Sequence, residues 1–471
     1  MIRFILFLLV FSGLTTRAVS NAQSTYFEPF QDIKVMRNHR FLSFPWGGGL
    51  NAPQFSNLDI NGDGLSDLFV FDRASNHSSF FINRSTSDSI VYEFLANPLF
   101  SFPSAERWAL LIDYDLDGFE DLFTFSPLGV LCYRNKGLNG TFFGFETTPI
   151  LLKTQYGSFN AGLYVSPADL PAFYDLDLDG DLDVLTFSAF GACVEWHRNM
   201  SVETYGHSDS LIFSLSTSSW GKFREGNSLM DISFPDSCAE ISGQVYKSPR
   251  HSGATLCVND FNGDGLPDLV MGEIDFPYLV YLENGGSLDT ARITQVFLPF
   301  PENFGSSQGV FIENFPAGFH VRVGLNQKSF IVAPNQNENS EDRHAVWLYN
   351  NLSDSGVANY QLVRTAFIQS DMIDVGTGSG PVFVHLTNPN SPDLSISNQD
   401  SYSFGSGISL YQYISGATGS YYLLVDEDLA GTRSHATPGR NHTFEDLNGD
   451  GLLDIIWVDI SGKPFVQFNM G

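Results

Sequence analysis

The chain has 471 residues, long enough to bury a large core. It carries 24 Lys and Arg against 53 Asp and Glu, a formal charge of −29, which argues against nucleic acid as a partner. The 43 Gly, 43 Phe and 18 Tyr beside so few Lys point to an all-β protein.

Residues 1–22 read as a secretory signal. Arg3 supplies the positive start, Phe4–Leu14 the apolar stretch, and Ser20-Asn21-Ala22 a small-residue cleavage site before Gln23. That stretch is shorter than the ~20 apolar residues a membrane anchor needs, and no later stretch is suited to span a bilayer. The mature chain, 23–471, is expected to be exported, monomeric and soluble, free outside the cell or at its surface. Thr25–Phe30 reads as a lone strand, and Gly47-Gly48-Gly49 turns the chain into Pro53–Leu58.

There begins a nine-residue pattern that occurs five times. In the first copy Asp59, Asn61, Asp63 and Asp67 hold positions 1, 3, 5 and 9, with Leu65 at position 7. The second has Asp113, Asp115, Asp117 and Asp121 with Phe119; the third has Asp175, Asp177, Asp179 and Asp183 with Asp181. The fourth has Asp260, Asn262, Asp264 and Asp268 with Leu266; the last has Asp446, Asn448, Asp450 and Asp454 with Leu452. Position 6 is Gly in every copy, which permits the left-handed backbone of a tight turn. Side chains 1, 3 and 5, the carbonyl of 7 and the carboxylate of 9 form an oxygen cage suited to Ca²⁺, which takes six to eight oxygens. About five Ca²⁺ sites are expected. Mg²⁺ suits the cage less well, because it demands a smaller octahedral shell and retains water. The carboxylates at positions 1, 3, 5 and 9 number three in three loops and four in the second and third.

An EF-hand would need a bidentate Glu at position 12 between two helices. Position 12 is instead Val70, Thr124, Thr186, Met271 and Trp457, within apolar runs that read as buried strands. From the first loop onward one module repeats: a short strand, the loop, a buried strand, a third strand often ending in Asn, and an aromatic fourth strand. Four antiparallel strands per repeat make one propeller blade. Two degenerate repeats fill the long gap before the last loop, so the starts fall near 59, 113, 175, 260, 313, 385 and 446. The last repeat lacks a fourth strand, and Thr25–Phe30 is expected to supply it and close the ring.

Residues 201–250 form an insertion containing Trp220 and Phe223, which either projects to bind a partner or packs on a neighbouring blade. Of the four cysteines, Cys238 and Cys257 are close enough in sequence to pair, whereas Cys132 and Cys193 lie in strand-like runs as buried thiols. Gly305-Ser306-Ser307-Gln308-Gly309 matches a nucleophile elbow by letter, but a Pro-rich loop precedes it and a strand-like run follows, so it reads as a turn.

The pattern Phe-x-x-(Leu/Val)-Asp-x-Asn-Gly-Asp-Gly-x-x-Asp-(Leu/Ile), followed by a strand ending in Asn, resembles the FG-GAP/VCBS repeat family in its secreted bacterial form. The propeller of integrin α subunits is its fold relative. The resemblance implies a seven-bladed β-propeller of four-stranded antiparallel blades, with calcium in the loops and none at the 313 and 385 repeats. No catalytic constellation is visible. The expected function is therefore a non-catalytic adhesion or recognition module for an extracellular protein or carbohydrate. A polysaccharide lyase or hydrolase on the same scaffold, and a structural segment of a longer surface array, are the alternatives.

Overall fold

A computed structural model of the chain describes residues 32–471, apart from 97–99, 138–143, 190–191, 227–231, 237–252, 275, 307, 337–339, 355, 402–404, 417–418, 435–440 and 460. The described residues fall in one compact unit. The expected signal and the Thr25–Phe30 strand lie outside them. No helix among the described residues is long and apolar enough to cross a membrane.

Apolar and aromatic runs bounded by Gly, Asn and Asp form strands, and these pair in chain order into antiparallel sheets. The first sheet comprises Pro53–Leu58, Asp67–Asp72, His77–Asn83 and Tyr92–Phe94. The second comprises Ala109–Ile112, Asp121–Thr124, Leu131–Tyr133 and Ile150–Leu151. The third runs from Ala172–Tyr174 through Asp183–Phe187 and Val194–Asn199 to Phe213–Thr217, and the hairpin of Lys153–Tyr156 and Phe159–Gly162 extends its outer edge. The fourth comprises Ala254–Asn259, Asp268–Glu273, Val280–Asn284 and Ile293–Phe297. The fifth comprises Pro316–Val323, Gln327–Pro334, Trp347–Asn351 and Tyr360–Arg364. Gly380–Val384 opens the sixth sheet and Asn441–Glu445 the seventh, which has three strands among the described residues.

The first strands of five sheets surround one axis, which gives the fold a propeller-like ring. Between the first and second sheets, the Ala109 and Leu111 N–H groups donate to Gln54 Oε1 and Ser56 Oγ. Phe123 packs on Phe173 at 4.6 Å between ring centroids, joining second to third. Leu170 bridges Thr255 between third and fourth, and Thr255 Oγ1 donates to the Pro316 carbonyl between fourth and fifth. The fifth then returns to the first: Asn57 exchanges hydrogen bonds with the Arg322 backbone, and Gln54 Nε2 donates to Asn335 Oδ1. A cavity of about 350 Å³ lies on the axis, lined by residues of all five first strands.

This closure corrects the expected seven-bladed ring. Side-chain amides of Gln54 and Asn57 satisfy the fifth sheet's polar groups, so the sixth and seventh sheets stay outside the ring. The first strand of the sixth sheet accordingly keeps Phe383 62 % exposed. The N-terminal strand that is described, Lys34–Arg37, runs parallel to Tyr421–Leu423 at the edge of the sixth sheet rather than completing the seventh.

The degenerate loop expected near 313 is also displaced. Pro316–Val323 is already the first strand there, and a tight turn, Gly324-Leu325-Asn326, replaces the loop. Gly318 serves packing rather than a turn, since a Cβ there would sit 2.3 Å from the Phe330 ring. In the insertion, Trp220 and Phe223 are buried between the third and fourth sheets, so this part packs rather than projects. Cys257 is a free thiol, so the expected Cys238–Cys257 pair does not form; Cys193 is disulfide-bonded instead, and Cys238 lies outside the described residues. Residues 302–304 form a single 3-10 turn capped by left-handed Gly305, a geometry unlike a strand-to-helix elbow.

The sixth and seventh sheets meet where Ser395 Oγ and His442 Nε2 are hydrogen-bonded at 2.8 Å. Burial lowers the His442 pKa to about 4. The unfolded chain then binds a proton at His442 that the folded chain refuses, so this stability is complete above about pH 6.5 and lost as pH falls towards 4. Thermal melts of His442→Gln should therefore lose less stability than the parent between those limits, by up to about 3 kcal/mol. Parallel acid limbs for the two proteins would refute that role.

Candidate metal centres

All five acidic loops connect the first and second strands of their sheets, and all five wind around the position-1 carboxylate. Asp59 accepts the N–H groups of Gly62, Asp63 and Gly64 at 2.8, 3.2 and 2.9 Å. Asp260 and Asp446 repeat that set, and Asp113 and Asp175 take the N–H groups of positions 5 and 6. Position 6 has φ of +82°, +90°, +103°, +84° and +88° at Gly64, Gly118, Gly180, Gly265 and Gly451, so glycine is required there. Position 7 donates its N–H to the position-5 carboxylate: Leu65 to Asp63, Phe119 to Asp117, Asp181 to Asp179, Leu266 to Asp264 and Leu452 to Asp450.

The position-9 carboxylates are fully buried, at Asp67, Asp121, Asp183, Asp268 and Asp454. One oxygen of each accepts the N–H of the Asn at the end of the third strand or two residues past it, at 2.6 Å for Asn83, 2.7 Å for Asn135 and Asn199, 2.8 Å for Asn284 and 2.9 Å for Asn469. The other accepts the N–H of loop position 2, from Ile60, Tyr114, Leu176, Phe261 and Leu447. Position 9 thus ties the loop to the third strand. This Asn locks that tie: Asn83, Asn135 and Asn284 donate their amides to the position-8 carbonyls of Ser66, Glu120 and Pro267. Burial drives Asp67 and Asp268 up to about 6 and Asp121 and Asp183 up to about 8, despite their N–H donors. Carboxyls held this way gain from a cation beside them.

Position 3 comes in two forms. Asn61, Asn262 and Asn448 donate to the position-5 carboxylates of Asp63, Asp264 and Asp450. Asp115 and Asp177 instead bury acidic side chains, 0 % and 5 % exposed, beside Arg134 and Arg198. In the second loop one oxygen each of Asp113, Asp115 and Asp121 lie within 4.8 Å of one another; in the third the same holds for Asp175, Asp177 and Asp179, and for Asp179, Asp181 and Glu203. Asp177 Oδ1 and Asp181 Oδ1 are buried and accept no hydrogen bond. An all-oxygen set with orphaned carboxylate atoms fits a hard cation such as Ca²⁺. Glu203, on the short helix Ser201–Tyr205, and the two arginines escaped the loop pattern. The arginines carry a signal in sequence, standing immediately before the strand-ending Asn only where position 3 is Asp.

The two degenerate repeats diverge differently. In the sixth, Asp393 still accepts the N–H groups of Tyr413 and Thr387, but Thr387 Oγ1 also donates to it and His385 holds position 1. In the fifth, Asn326 on the tight turn accepts from the Ser66 N–H and donates to the Gly64 carbonyl, bracing the first loop.

Leu116 and Leu178 hold position 4 at φ of +58° and +60°, where the other three loops have glycine. Left-handed backbone costs a non-glycine residue ~1–2 kcal/mol. Leu116→Gly and Leu178→Gly should each stabilise the cation-free protein by up to about 1 kcal/mol in urea melts, the rest being offset by unfolded-chain entropy. A loss of stability in both would show that the leucines pack usefully.

The family model described as FG-GAP-like repeat matches residues 113–186, from the first residue of the second loop to the strand that follows the third. No curated protein matches the chain in sequence. Among solved structures, an Agrocybe aegerita lectin described as recognising non-reducing terminal N-acetylglucosamine is 16 % identical over 90 % of this chain and 88 % of its own, with a TM-score of 0.30. The TcdB2-TccC3 structure is 15 % identical over 86 % of this chain and 20 % of its own, at 0.32. The exotype rhamnogalacturonan lyase YesX is 12 % identical over 88 % and 71 %, at 0.22. All three scores are too low to weigh on this chain's fold or function. Residues 113–186, built around the second and third acidic loops, are thus consistent with an FG-GAP-like repeat.

Proposed function

We propose that this chain is an exported, calcium-stabilised propeller that acts as a non-catalytic recognition module for a polar extracellular ligand, a carbohydrate or a protein. A polar cleft of about 450 Å³, lined by Asn57, Asn259, Asp260, Arg322, Lys328 and Asp354 among others, carries the reading. Arg322 and Lys328 face each other directly across the fifth sheet's first hairpin. Neither forms an ion pair among the described residues. Like charges so placed cost stability, and a ligand that takes hydrogen bonds from both accounts for keeping them. The amides of Asn57 and Asn259 beside them suit hydroxyl or carbonyl groups. Export is supported by the reading of residues 1–22 and by the disulfide at Cys193, which suits an oxidising compartment.

Calcium is supported by the oxygen sets and orphaned carboxylate atoms of the loops. Bound at a Kd of ~0.1 mM, each ion adds roughly 1.4 kcal/mol at about 1 mM calcium. Chelation should therefore lower the melting temperature clearly, and Asp179→Ala should lower it less than chelation does. An unchanged melting curve in EDTA, with metal content verified as zero, would sink the calcium reading.

The enzyme alternative has one observation in its favour. Glu120 lines the axial cavity, and its Oε2 is buried without a hydrogen-bond partner. A glycan and surface-protein binding screen with calcium and with EDTA separates the two readings. Calcium-dependent binding without product, weakened about tenfold by Arg322→Gln or Lys328→Gln, is the expected result. Depolymerised glycan that disappears with Glu120→Gln would establish the lyase or hydrolase instead.

A further inference from the structure

The second and third loops differ from the other three by a correlated set of residues. Position 3 is Asp115 and Asp177 instead of Asn, and the residue before the strand-ending Asn is Arg134 and Arg198, where the other loops have Ile82, Glu283 and Phe468. Arg134 Nη2 is paired with Asp115 Oδ2. Arg198 Nε lies 2.5 Å from Asp177 Oδ2, and its Nη2 lies 2.6 Å from Glu203 Oε1 and 3.3 Å from Asp179 Oδ2. The two aspartate side chains are nearly inaccessible, whereas the two arginine side chains keep 26 % and 31 % of their surface. In the Asn loops the donor to the neighbouring carboxylate is the amide within the loop itself. In the Asp loops a guanidinium from the end of the third strand or just past it supplies a full positive charge, to position 3 in both and to position 5 in the third loop alone.

We propose that Arg134 and Arg198 are built-in counter-cations that set the calcium affinity of the second and third loops. Each guanidinium cancels the extra carboxylate at position 3 and holds one of its oxygens away from the ion. At positions 1, 3, 5 and 9 the acids plus the arginine then carry the same net charge as an Asn loop, −3, and the third loop adds Asp181 and Glu203 to that set. The cost is affinity, because a fixed positive charge stands beside the bound cation. A unit charge roughly 5 Å from a divalent ion in a water-facing loop changes binding by about tenfold. This inference rests on the calcium reading of the loops.

Calcium titration of the full chain against a chromophoric chelator, paired with melts in EDTA, tests it. Arg134→Gln and Arg198→Gln should each make one site about tenfold tighter while lowering the EDTA melting temperature. A purely structural ion pair would lower that temperature and leave calcium binding unchanged or weaker. Arg134→Lys keeps the charge and should leave the affinity near that of the parent. If Arg134→Gln fails to fold, the double variant Asp115→Asn with Arg134→Ile reproduces the first loop's residue pair and should bind within a few-fold of the parent. A parent that binds calcium whose affinity neither Arg→Gln variant tightens would overturn the proposal alone. A parent that binds none would overturn it together with the calcium reading.

Discussion

The buried carboxylate at loop position 9 is the interaction on which the rest of the structure depends. Its two oxygens hold the loop's second residue and the end of the third strand, so one side chain sets the register of three chain segments. Burying a carboxylate is unfavourable unless its oxygens are satisfied and its charge is balanced. The backbone N–H groups meet the first requirement in every repeat that keeps the aspartate, including the sixth, where Asp393 persists without the other acids. A cation in the loop would meet the second. The sheet motif and the candidate metal centre would then be one device.

Ring geometry follows from polar groups on the first strands. In a propeller-like ring the innermost strands bring backbone and side chains of neighbouring sheets close together, and unsatisfied polar atoms there are costly. Gln54, Ser56, Asn57 and Thr255 answer that need by bridging sheets. Once Asn57 has paired with the Arg322 backbone, the first sheet has no free side for another neighbour. The two remaining sheets associate with each other through Ser395 and His442. The sixth also takes up the N-terminal strand Lys34–Arg37, and Arg40, just beyond that strand, pairs with Asp371 ahead of the sixth sheet.

Charge is the second theme. About a third of the chain's acidic residues sit in the loops, where the backbone and, in two of them, an arginine divide the load. The fifth sheet inverts the pattern. It has no acidic loop, and it places Arg322 and Lys328 at a polar cleft near the mouth of the fourth loop. A binding surface in that place would set two cationic side chains beside the carboxylates of Asp260 and Asp354.

The local chemistry was legible in the sequence by itself. Aspartate at positions 1, 5 and 9, aspartate or asparagine at 3 and glycine at 6 determine a turn that gathers oxygens, because those contacts span nine residues and need no distant partner. The apolar runs after each loop likewise determine buried strands, and the all-β class follows. What joins to what was decided by tertiary structure. Ring closure depends on Asn57 meeting Arg322, 265 residues away, and no periodicity encodes that encounter. The repeat count pointed to seven blades because it measures modules, whereas the ring size is set by which side chains meet across sheets. The same holds for Cys257, which lies in the wall of the axial cavity and remains a thiol despite a nearby cysteine in sequence. It holds too for Glu203, brought to the third loop by a short helix whose position only the folded chain defines. Contacts within one turn are written in neighbouring residues; contacts between sheets are settled by packing and by the need to satisfy buried polar groups.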